Sequence, residues 1–265
     1  MALPFFYIAS FDPQRAELVL DEDNSRHIVQ VLRMQRGSPL QLTDGLGNLL
    51  TTTILDDHKK KCTVQILTVT RQPPRERNVS IAISLLKNAS RFEWFLEKAT
   101  EIGVTSIIPL LCERTERQHF RQDRLQNILV SAMLQSQQAW LPSMPTPTPL
   151  TELIENHGHD QLFIAHCLEE QKVALADAAR SAAARPGQSE VSRSAAAGSN
   201  GTDSAPEASS PSRGSQLILI GPEGDFSPKE IELAIQHDFL PVTLGATRLR
   251  TETAGIVAAT LLCIG

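Results

Sequence analysis

The sequence predicts an α/β protein with two domains, a small N-terminal β-barrel and a larger domain built on a parallel sheet. Residues 1–72 contain short β-type runs divided by Gly, Asp and Asn, a spacing typical of a small antiparallel barrel. From Val79 onwards strands alternate with helices, which indicates a parallel sheet covered on both faces. Between these regions Pro73 and Pro74 cannot join a sheet ladder. The predicted domains are therefore residues 1–72 and residues 73–265.

One helical segment interrupts the strands of the first domain. It lies in HIVQVLRMQRG, is predicted from Val29 to Gln35, and ends before Gly37. The sequence GLGNLL, from Gly45 to Leu50, lacks the third glycine of a dinucleotide-binding loop, so a hairpin turn is the better interpretation. The predicted strands are FFYIAS, LVL, PLQLTD, LLTTTIL and CTVQILTVT.

The second domain begins with the strand VSIAISLL and closes with an apolar helix over residues 251–264. Residues 174–215 are rich in Ala, Ser, Gly and Pro without periodicity, and cannot bury enough apolar surface to offset their ordering entropy. We predict a disordered insertion there, with a frayed helix at its alanine-rich start as the alternative. The remaining strands are VTSIIPLL, LFIAHC, LILIG and PVTL, and the remaining helices are RFEWFLEKATEIG, residues 123–138 and the segment after LILIG.

Composition argues against several classes of protein. The four cysteines never form a C-x-x-C pair, so neither a disulfide framework nor a structural zinc site is expected. His157 and His159 have no further ligand placed beside them, and we interpret them as part of a polar loop. No run approaches a membrane-spanning apolar length, and Met1 to Ser10 lacks the basic start of a secretory leader. We expect a cytoplasmic protein with no metal and no membrane partner.

The negative net charge of the chain is concentrated in its second half. The net charge is -5, but residues 1–150 carry 17 Lys and Arg against 15 Asp and Glu, whereas residues 151–265 carry 8 against 15. Binding to nucleic acid depends more on the distribution of charge than on its sum. A basic nucleic-acid-binding face in the first half of the chain is therefore compatible with the negative net charge.

The stretch LILIGPEGDFSPKEIELA, from Leu217 to Ala234, joins a buried strand to a helix through a tight loop. Ser227, Pro228 and Glu230 occupy the N-cap, first and capping-box positions of that helix. The loop glycines permit close backbone approach, and the helix start directs free N–H groups at whatever binds there. In open parallel sheets such a junction lies at the carboxyl edge, where ligands bind. An ordinary strand-to-helix loop is the alternative.

A second junction of the same kind follows in LGATRLRTETAGIVAA, from Leu244 to Ala259. Thr251 is a plausible N-cap, and the small residues after it allow the helix to pack close to a partner. Arg248 and Arg250 stand just before the helix in an otherwise acidic half, where they could contact phosphate or stabilise a developing anion. The alternative is a surface ion pair, more for Arg248 than for Arg250.

Together, LIGPEGDF and LGATRLRTETA resemble the paired C-terminal signature of the RsmE family, SPOUT-class methyltransferases that modify uridine N3 in bacterial 16S rRNA. The resemblance extends to HIVQVLRMQRG, LLKNASRFEWFLEKATEIGV and ERTERQ, and covers most of the chain except the insertion. There are two departures. SAMLQSQQAWLP offers Leu134 and Trp140 where the family has Glu-Gln-Ser and a nearby Arg before a Pro, which could alter RNA contacts or dimer packing. Asp225 turns the family's GPEGG into GPEGD, which suggests that this position needs no glycine.

The resemblance implies a PUA-like barrel that binds RNA, a SPOUT α/β domain with a deep trefoil knot, and S-adenosylmethionine held in the knotted loops. It also implies a homodimer that acts on 16S rRNA of the small ribosomal subunit. The closing helix fits self-association, because its apolar and small residues exceed what one sheet face needs. The residues expected at the cofactor are His166, Ile220, Gly221, Pro222, Glu223, Gly224, Leu244, Gly245, Leu249, Arg250 and Thr251.

Methyl transfer to uridine N3 requires alignment of the reacting atoms and removal of the N3 proton. The uracil must also leave any base stack. Arg250 is the candidate for stabilising the uracil anion. Glu223 or Glu252 could orient the group or water that accepts the proton.

Basic residues of the first domain are the expected RNA contacts. A solvated hairpin tip is an equally good interpretation of the three lysines. The set is Arg26, Arg33, Arg36, Lys59, Lys60 and Lys61, together with Arg248 of the second domain.

Two alternative functions of the whole protein are compatible with the sequence: a SPOUT enzyme acting on a tRNA base or ribose, and a catalytically silent ribosome-assembly factor.

Overall fold

The computed structural model describes residues 3–116, 120–168, 171–183 and 213–265. These residues form two compact units that do not follow chain order, because two helices from the middle of the chain belong to the first unit. The first unit comprises Met1–Arg75, Ala89–Thr105 and His119–Met144, and the second comprises Glu76–Asn88, Ser106–Gln118 and Pro145–Gly265.

The first unit contains a five-stranded sheet. The strands are β1 (Phe5–Tyr7), β2 (Glu17–Val19), β3 (Pro39–Thr43), β4 (Asn48–Asp56) and β5 (Thr63–Arg71), in the order β1-β3-β4-β5-β2. All pairs are antiparallel as predicted except β1 with β3, which is parallel. The side chains that alternate inward from β3 and β4, such as Leu40, Leu42, Leu50 and Ile54, form a core with Phe6 and Ile28.

The helical segment of this unit lies earlier in the chain than predicted. Helix α1 spans Glu22–Arg26, and a π-helical turn continues it over His27–Val31. The start is earlier because the Asp21 side chain accepts a hydrogen bond from the Asn24 backbone N–H at 2.8 Å and caps the helix. The helix does not reach Gln35, because Arg33 takes a left-handed φ of 54°.

Two longer helices complete the first unit. Helix α2 spans Ala89–Ile102 and helix α3 spans Gln122–Gln135; they pack against each other, and α3 also contacts β1. Arg124 donates two hydrogen bonds to the Glu93 carboxylate, at 2.6 and 2.9 Å. The segment after α3 then pairs with the β3–β4 hairpin, with Gly47 N donating to Ala139 O at 2.8 Å.

The second unit is a seven-stranded sheet in which every pair is parallel, as predicted. The strands are β6 (Arg77–Ser84), β7 (Ser106–Leu111), β8 (Thr148–Pro149), β9 (Gln161–Ala165), β10 (Val173–Ala174), β11 (Arg213–Ile220) and β12 (Leu240–Thr243). Their order is β10-β12-β9-β11-β6-β7-β8. The last two strands thus insert between strands formed earlier in the chain. The trefoil knot stays a prediction.

Helices cover both faces of this sheet. They are α4 (Leu150–Glu155), α5 (Leu175–Ala183), α6 (Pro228–Gln236) and α7 (Thr251–Cys263). Leu217 and Leu219 of β11 belong to a core with residues of α4 and α6. Because side chains alternate along a strand, Ile218 and Ile220 point to the opposite face, where α7 packs on β6 and β11. Among the described helices, none is long and apolar enough to cross a membrane.

The segment predicted as a disordered insertion, residues 174–215, contains regular structure at both ends. Helix α5 occupies Leu175–Ala183, and β11 already begins at Arg213. The apolar side chains Leu175, Ala178 and Ala179 are buried, which explains why the alanine-rich start is helical. The remainder of the predicted insertion, residues 184–212, lies outside the described residues.

Candidate functional site

The strands of the second unit end together at one edge of the sheet. In the strand register Ile220 pairs with Ala165, which pairs with Val242, so β11, β9 and β12 end side by side. On the other side of β11, Ile220 pairs with Ile83 of β6. Neighbouring strands lie about 4.8 Å apart, so the loops that follow emerge close to one another. This is the edge at which open parallel sheets bind ligands.

The loop after β11 is shaped by its glycines and by the helix cap that follows. A Cβ on Gly221 would lie 3.0 Å from the Phe226 ring and 3.1 Å from the Phe226 backbone nitrogen, so a larger residue does not fit without a shift. The predicted capping box of α6 is confirmed. The Ser227 backbone N–H donates to Glu230 Oε2 at 2.7 Å, and the Glu230 N–H donates to Ser227 Oγ at 3.4 Å.

Charged side chains connect this loop to the loop after β7. Glu230 is buried, and its other carboxylate oxygen accepts a hydrogen bond from the Glu113 backbone N–H at 2.7 Å. Arg114 donates to the carbonyl oxygens of Gly224 at 2.8 Å and Phe226 at 3.4 Å. The GPEGD backbone is therefore held by the Arg114 side chain, 110 residues away in sequence, and the helix that follows it is held by the bond between Glu230 and the Glu113 backbone.

The loop after β9 is fixed in a similar way. His166 is buried at the end of the strand, and Lys172 donates to its carbonyl oxygen at 2.6 Å. The next residue, Cys167, donates its backbone N–H to Asp225 Oδ2 at 2.8 Å. The loops after β9 and β11 are thus joined by a direct hydrogen bond.

The loop after β12 has a more open backbone. Gly245 has a φ of 143°, and a Cβ added there would meet nothing within 4 Å. Arg250, and not Thr251, is the N-cap of α7, and its side chain makes no capping hydrogen bond. Thr251 is the first helical residue and is buried. Arg248 and Arg250 are both exposed, and neither forms an ion pair within the described part of the chain.

A small charge cluster stands on the β6 side of the same edge. Lys87 Nζ lies 2.7 Å from Glu116 Oε2. The hydrogen bond to Glu116 raises the pKa of Lys87, and the negative charge of Glu223 acts in the same direction. Glu223 is exposed.

The structure brings most of the predicted site residues to this edge. Ile220 and Gly221 to Gly224 follow β11, Leu244 to Thr251 follow β12, and His166 lies between these loops. Ile220 is 2% exposed and Glu252 is 7% exposed, in the first turn of α7, whereas Leu244 and Leu249 are half-buried. Their roles stay predictions.

Lys87, Arg114 and Lys172 were not among the predicted site residues. Arg114 could have been selected from the sequence, because it lies in the ERTERQ segment. For Lys87 and Lys172 no local pattern distinguishes them from other surface lysines, because their partners are distant in sequence or are backbone atoms.

The predicted RNA-contacting residues of the first unit lie around α1 and the β4–β5 turn, and all are exposed. Arg26 lies 3.4 Å from Glu22 and 3.5 Å from Asp23, and Lys60 lies 3.4 Å from the same Glu22 carboxylate. Those two cations are therefore partly neutralised. Within the described residues no ion pair is found for the others, Arg33, Arg36, Lys59 and Lys61.

The predicted histidine loop has structural contacts and no metal-binding arrangement. His159 Nε2 lies 2.8 Å from Ser80 Oγ, and the His157 ring packs edge-on against Phe239. Across the described ranges, no group of three or more His, Cys, Asp or Glu side chains is arranged to hold a metal ion.

A parallel sheet with three loops side by side at its carboxyl edge defines the class of ligand-binding α/β proteins. Comparison with known families specifies it. Residues 73–263 match the model of an RNA methyltransferase domain, and residues 20–67 match that of an RNA methyltransferase PUA domain. The chain belongs to this RNA methyltransferase family, as its resemblance to the RsmE family predicted.

Individual relatives agree with the family. The chain is 28% identical over 246 residues to a Synechocystis protein named ribosomal RNA small subunit methyltransferase E, covering 92% of this chain and 71% of the relative. A crystal structure of a probable rRNA-methyltransferase from Porphyromonas gingivalis is 34% identical, with 98% of each chain covered and a TM-score of 0.78. A putative methyltransferase from Legionella pneumophila, crystallised in complex with the bound cofactor SAM, is 25% identical, with 99% of this chain and 97% of that chain covered and a TM-score of 0.75.

Proposed function

We propose that this protein transfers a methyl group from S-adenosylmethionine to N3 of a specific uridine in 16S rRNA of the small ribosomal subunit, in the cytoplasm. The observation that carries the proposal is the alignment of the strand ends of β9, β11 and β12, which presents the His166, GPEGD and LRTETA loops side by side. Relatives named ribosomal RNA small subunit methyltransferase E support the substrate class. The Legionella structure with bound SAM supports the cofactor.

The loop residues fit such a cofactor. Gly245 exposes bare backbone to open space, since a Cβ there would meet no atom within 4 Å. The first turn of α7 has no side-chain cap, which leaves its N–H groups to bind polar atoms of a ligand. The half-buried Leu244 and Leu249 supply apolar surface for an adenine ring. S-adenosylmethionine supplies a methyl group bonded to a positively charged sulfur.

The chain's own residues supply the remaining chemistry. Arg250 is exposed beside this edge and makes no ion pair within the described residues, so its guanidinium is available to a uracil carbonyl oxygen as negative charge develops. Glu223 and Glu252 are the two candidates for orienting the proton acceptor. Glu223 is exposed near Lys87, whereas Glu252 is buried in the first turn of α7. Solvent access favours Glu223 for passing a proton to water.

The first unit is proposed to bind the rRNA. Arg33 and Arg36 lie in the segment that follows the π-helical turn, and Lys59 and Lys61 lie in the β4–β5 turn. Exposed cations without intramolecular ion pairs are the groups that gain most from phosphate contacts. Arg248 adds a cation near the proposed reaction edge.

We also propose that the protein acts as a homodimer through α7. One face of this helix is buried on β6 and β11, yet Ile256, Val257 and Leu261 on its other side are only half-buried, and Ile264 is 70% exposed. An apolar helix face of this kind is typical of a two-fold interface. Sedimentation velocity should give about twice the 29.1 kDa chain mass. A monomer at all concentrations would contradict the dimer.

The decisive experiment is nucleoside mass spectrometry of 16S rRNA from cells lacking this gene. We expect N3-methyluridine to disappear and to return when the wild-type gene is restored. Its persistence would exclude this substrate, and loss of a tRNA modification instead would indicate a different SPOUT reaction. The remaining alternative is a catalytically silent assembly factor, which has no need to bind S-adenosylmethionine. Calorimetry that detects binding of S-adenosylmethionine therefore favours the enzyme over this alternative.

A further inference from the structure

Asp225, in the loop after β11, has a backbone conformation that favours glycine. Its φ is 64°, in the left-handed region, where a side chain is disfavoured by about 1 kcal/mol or more. Aspartate is one of the few residues that adopt this conformation, and contacts of its side chain can offset the cost.

The Asp225 carboxylate makes two backbone contacts. Oδ1 accepts a hydrogen bond from the Phe226 N–H at 2.9 Å, within its own loop. Oδ2 accepts one from the Cys167 N–H at 2.8 Å, in the loop after β9. The second contact crosses 58 residues of sequence and joins two of the three loops at the proposed cofactor edge.

Each of the two loops also accepts a hydrogen bond from a basic side chain. Lys172 donates to the His166 carbonyl oxygen at 2.6 Å, and Arg114 donates to the Gly224 carbonyl oxygen at 2.8 Å. Those bonds fix each loop separately. The Asp225 bond, by contrast, joins the two loops directly.

We propose that Asp225 is a positioning residue for the methyl-donor site: its carboxylate holds the His166–Cys167 backbone beside Gly221 to Gly224 before the cofactor binds. This inference rests on the proposed function. A preformed pair of loops lowers the entropy cost of binding, so the residue acts on cofactor affinity and not on the chemical step.

Asp238 provides a matched control. It is an aspartate with the same φ of 64°, it is exposed, and no hydrogen bond of its side chain is found within the described residues. Asp225→Gly and Asp238→Gly therefore make the same chemical change and relieve the same backbone strain. Only the first removes a bond between loops. Asp225→Asn keeps a side chain that tolerates this conformation but only one acceptor oxygen, so it can accept from the Cys167 N–H or from the Phe226 N–H and not from both.

The test measures the cofactor dissociation constant by calorimetry, KM and kcat for methylation of small-subunit rRNA, and amide hydrogen exchange at Cys167 without cofactor. Asp225→Gly should weaken S-adenosylmethionine binding and raise its KM by about fivefold, with kcat unchanged at saturation. Exchange at the Cys167 amide should become faster. Asp238→Gly should stay within about twofold of wild type, and Asp225→Asn, which can keep one of the two accepted bonds, should fall between wild type and Asp225→Gly.

Specific results would overturn the inference. Unchanged cofactor affinity in Asp225→Gly, or equal losses in Asp225→Gly and Asp238→Gly, would remove Asp225 from positioning while leaving the proposed function intact. Unchanged hydrogen exchange at the Cys167 amide in Asp225→Gly would show that the bridging bond is not the cause of a loss of affinity. If the wild-type protein itself binds no S-adenosylmethionine, the proposed function and this inference both fail.

Discussion

The indole ring of Trp140 occupies the space where a side chain on Gly47 would have to lie. A Cβ built on Gly47 would stand 2.6 Å from Trp140 Cε2 and 2.9 Å from Cη2. The indole N–H donates to the Pro73 carbonyl oxygen at 3.0 Å, and the Arg71 guanidinium lies 5.6 Å from the ring centroid. Trp140, one of the departures from the family pattern, thus fastens the β3–β4 hairpin of the first unit.

Replacing Gly47 with alanine should destabilise the protein through this contact. Gly47 has a φ of 90° and Gly37 a φ of 85°, but an added Cβ on Gly37 meets nothing within 4 Å. Gly37→Ala should therefore lower the free energy of unfolding only by the cost of holding an alanine at a positive φ, about 1–2 kcal/mol. Gly47→Ala should cost about 1–3 kcal/mol more, because the Trp140 ring must shift. Urea unfolding monitored by circular dichroism measures both, and equal losses would contradict the packing argument.

Two of the four cysteines should resist alkylation in the folded protein. Burial, followed by the charges of Asp56 and Asp57, raises the pKa of the Cys62 thiol to about 11. Burial, followed by the charge of Glu230, raises the pKa of Cys112 to about 12. Because the thiolate is the nucleophile, iodoacetamide should modify the exposed Cys167 and leave Cys62 and Cys112 unreacted until denaturant is added. Peptide mass spectrometry over time measures this, and rapid labelling of Cys112 in the native state would contradict its burial.

The stability of the second unit should decrease in mild acid because of His159. Burial is the main cause that lowers the pKa of His159 below its ordinary value of 6.5, and the neighbouring His157 adds to it. The nearby Asp160 acts in the opposite direction. The unfolded chain therefore binds this proton at higher pH than the folded chain. The stability that depends on a neutral His159 is fully present above pH 6.5, and it is lost as the pH falls from 6.5 through the lowered pKa of the folded state.

The measurement is the free energy of unfolding of wild type and His159→Gln at about pH 7.5 and about pH 5.5. The variant should lose less stability between these two conditions than wild type does. His58→Gln, at an exposed turn, is the control and should follow wild type. A variant with the wild-type pH dependence would show that other groups control the acid response.

Local patterns in the sequence were sufficient for some features of the structure. Ser227 and Glu230 are three residues apart, so their capping box could be recognised from spacing alone. The alternation of strands and helices likewise predicted the parallel sheet. The parallel pairing of β1 with β3 could not be predicted, because which strands are neighbours depends on the whole chain. The contacts of Arg114 with Gly224 and of Asp225 with Cys167 could not be predicted for the same reason, because each joins residues that are distant in sequence.

Salt dependence of rRNA binding should distinguish the basic residues of the first unit. Arg33 and Arg36 make no ion pair within the described residues, whereas Arg26 is already close to Glu22 and Asp23. A plot of the logarithm of the RNA-binding constant against the logarithm of the salt concentration has a negative slope. Arg33→Ala and Arg36→Ala should each make this slope shallower by about one, and Arg26→Ala by clearly less. Fluorescence anisotropy with a 16S rRNA fragment at several salt concentrations gives these slopes. Identical slopes for all three variants and wild type would assign RNA binding to another surface.

Arg250→Ala should abolish methylation while leaving cofactor binding nearly unchanged. The Arg250 side chain makes no capping bond to α7, so its removal leaves the helix start intact. Loss of a cation at the developing uracil anion should lower kcat by about 10²–10³-fold, whereas the dissociation constant of S-adenosylmethionine should change by less than about twofold. Arg248→Ala is the control, since it removes an exposed cation two residues away and should keep most of kcat. Single-turnover methylation and calorimetry on the same preparations measure both quantities. Because a lysine supplies charge without the planar fork, Arg250→Lys should recover only part of the rate, and full activity of Arg250→Ala would exclude the residue from the reaction.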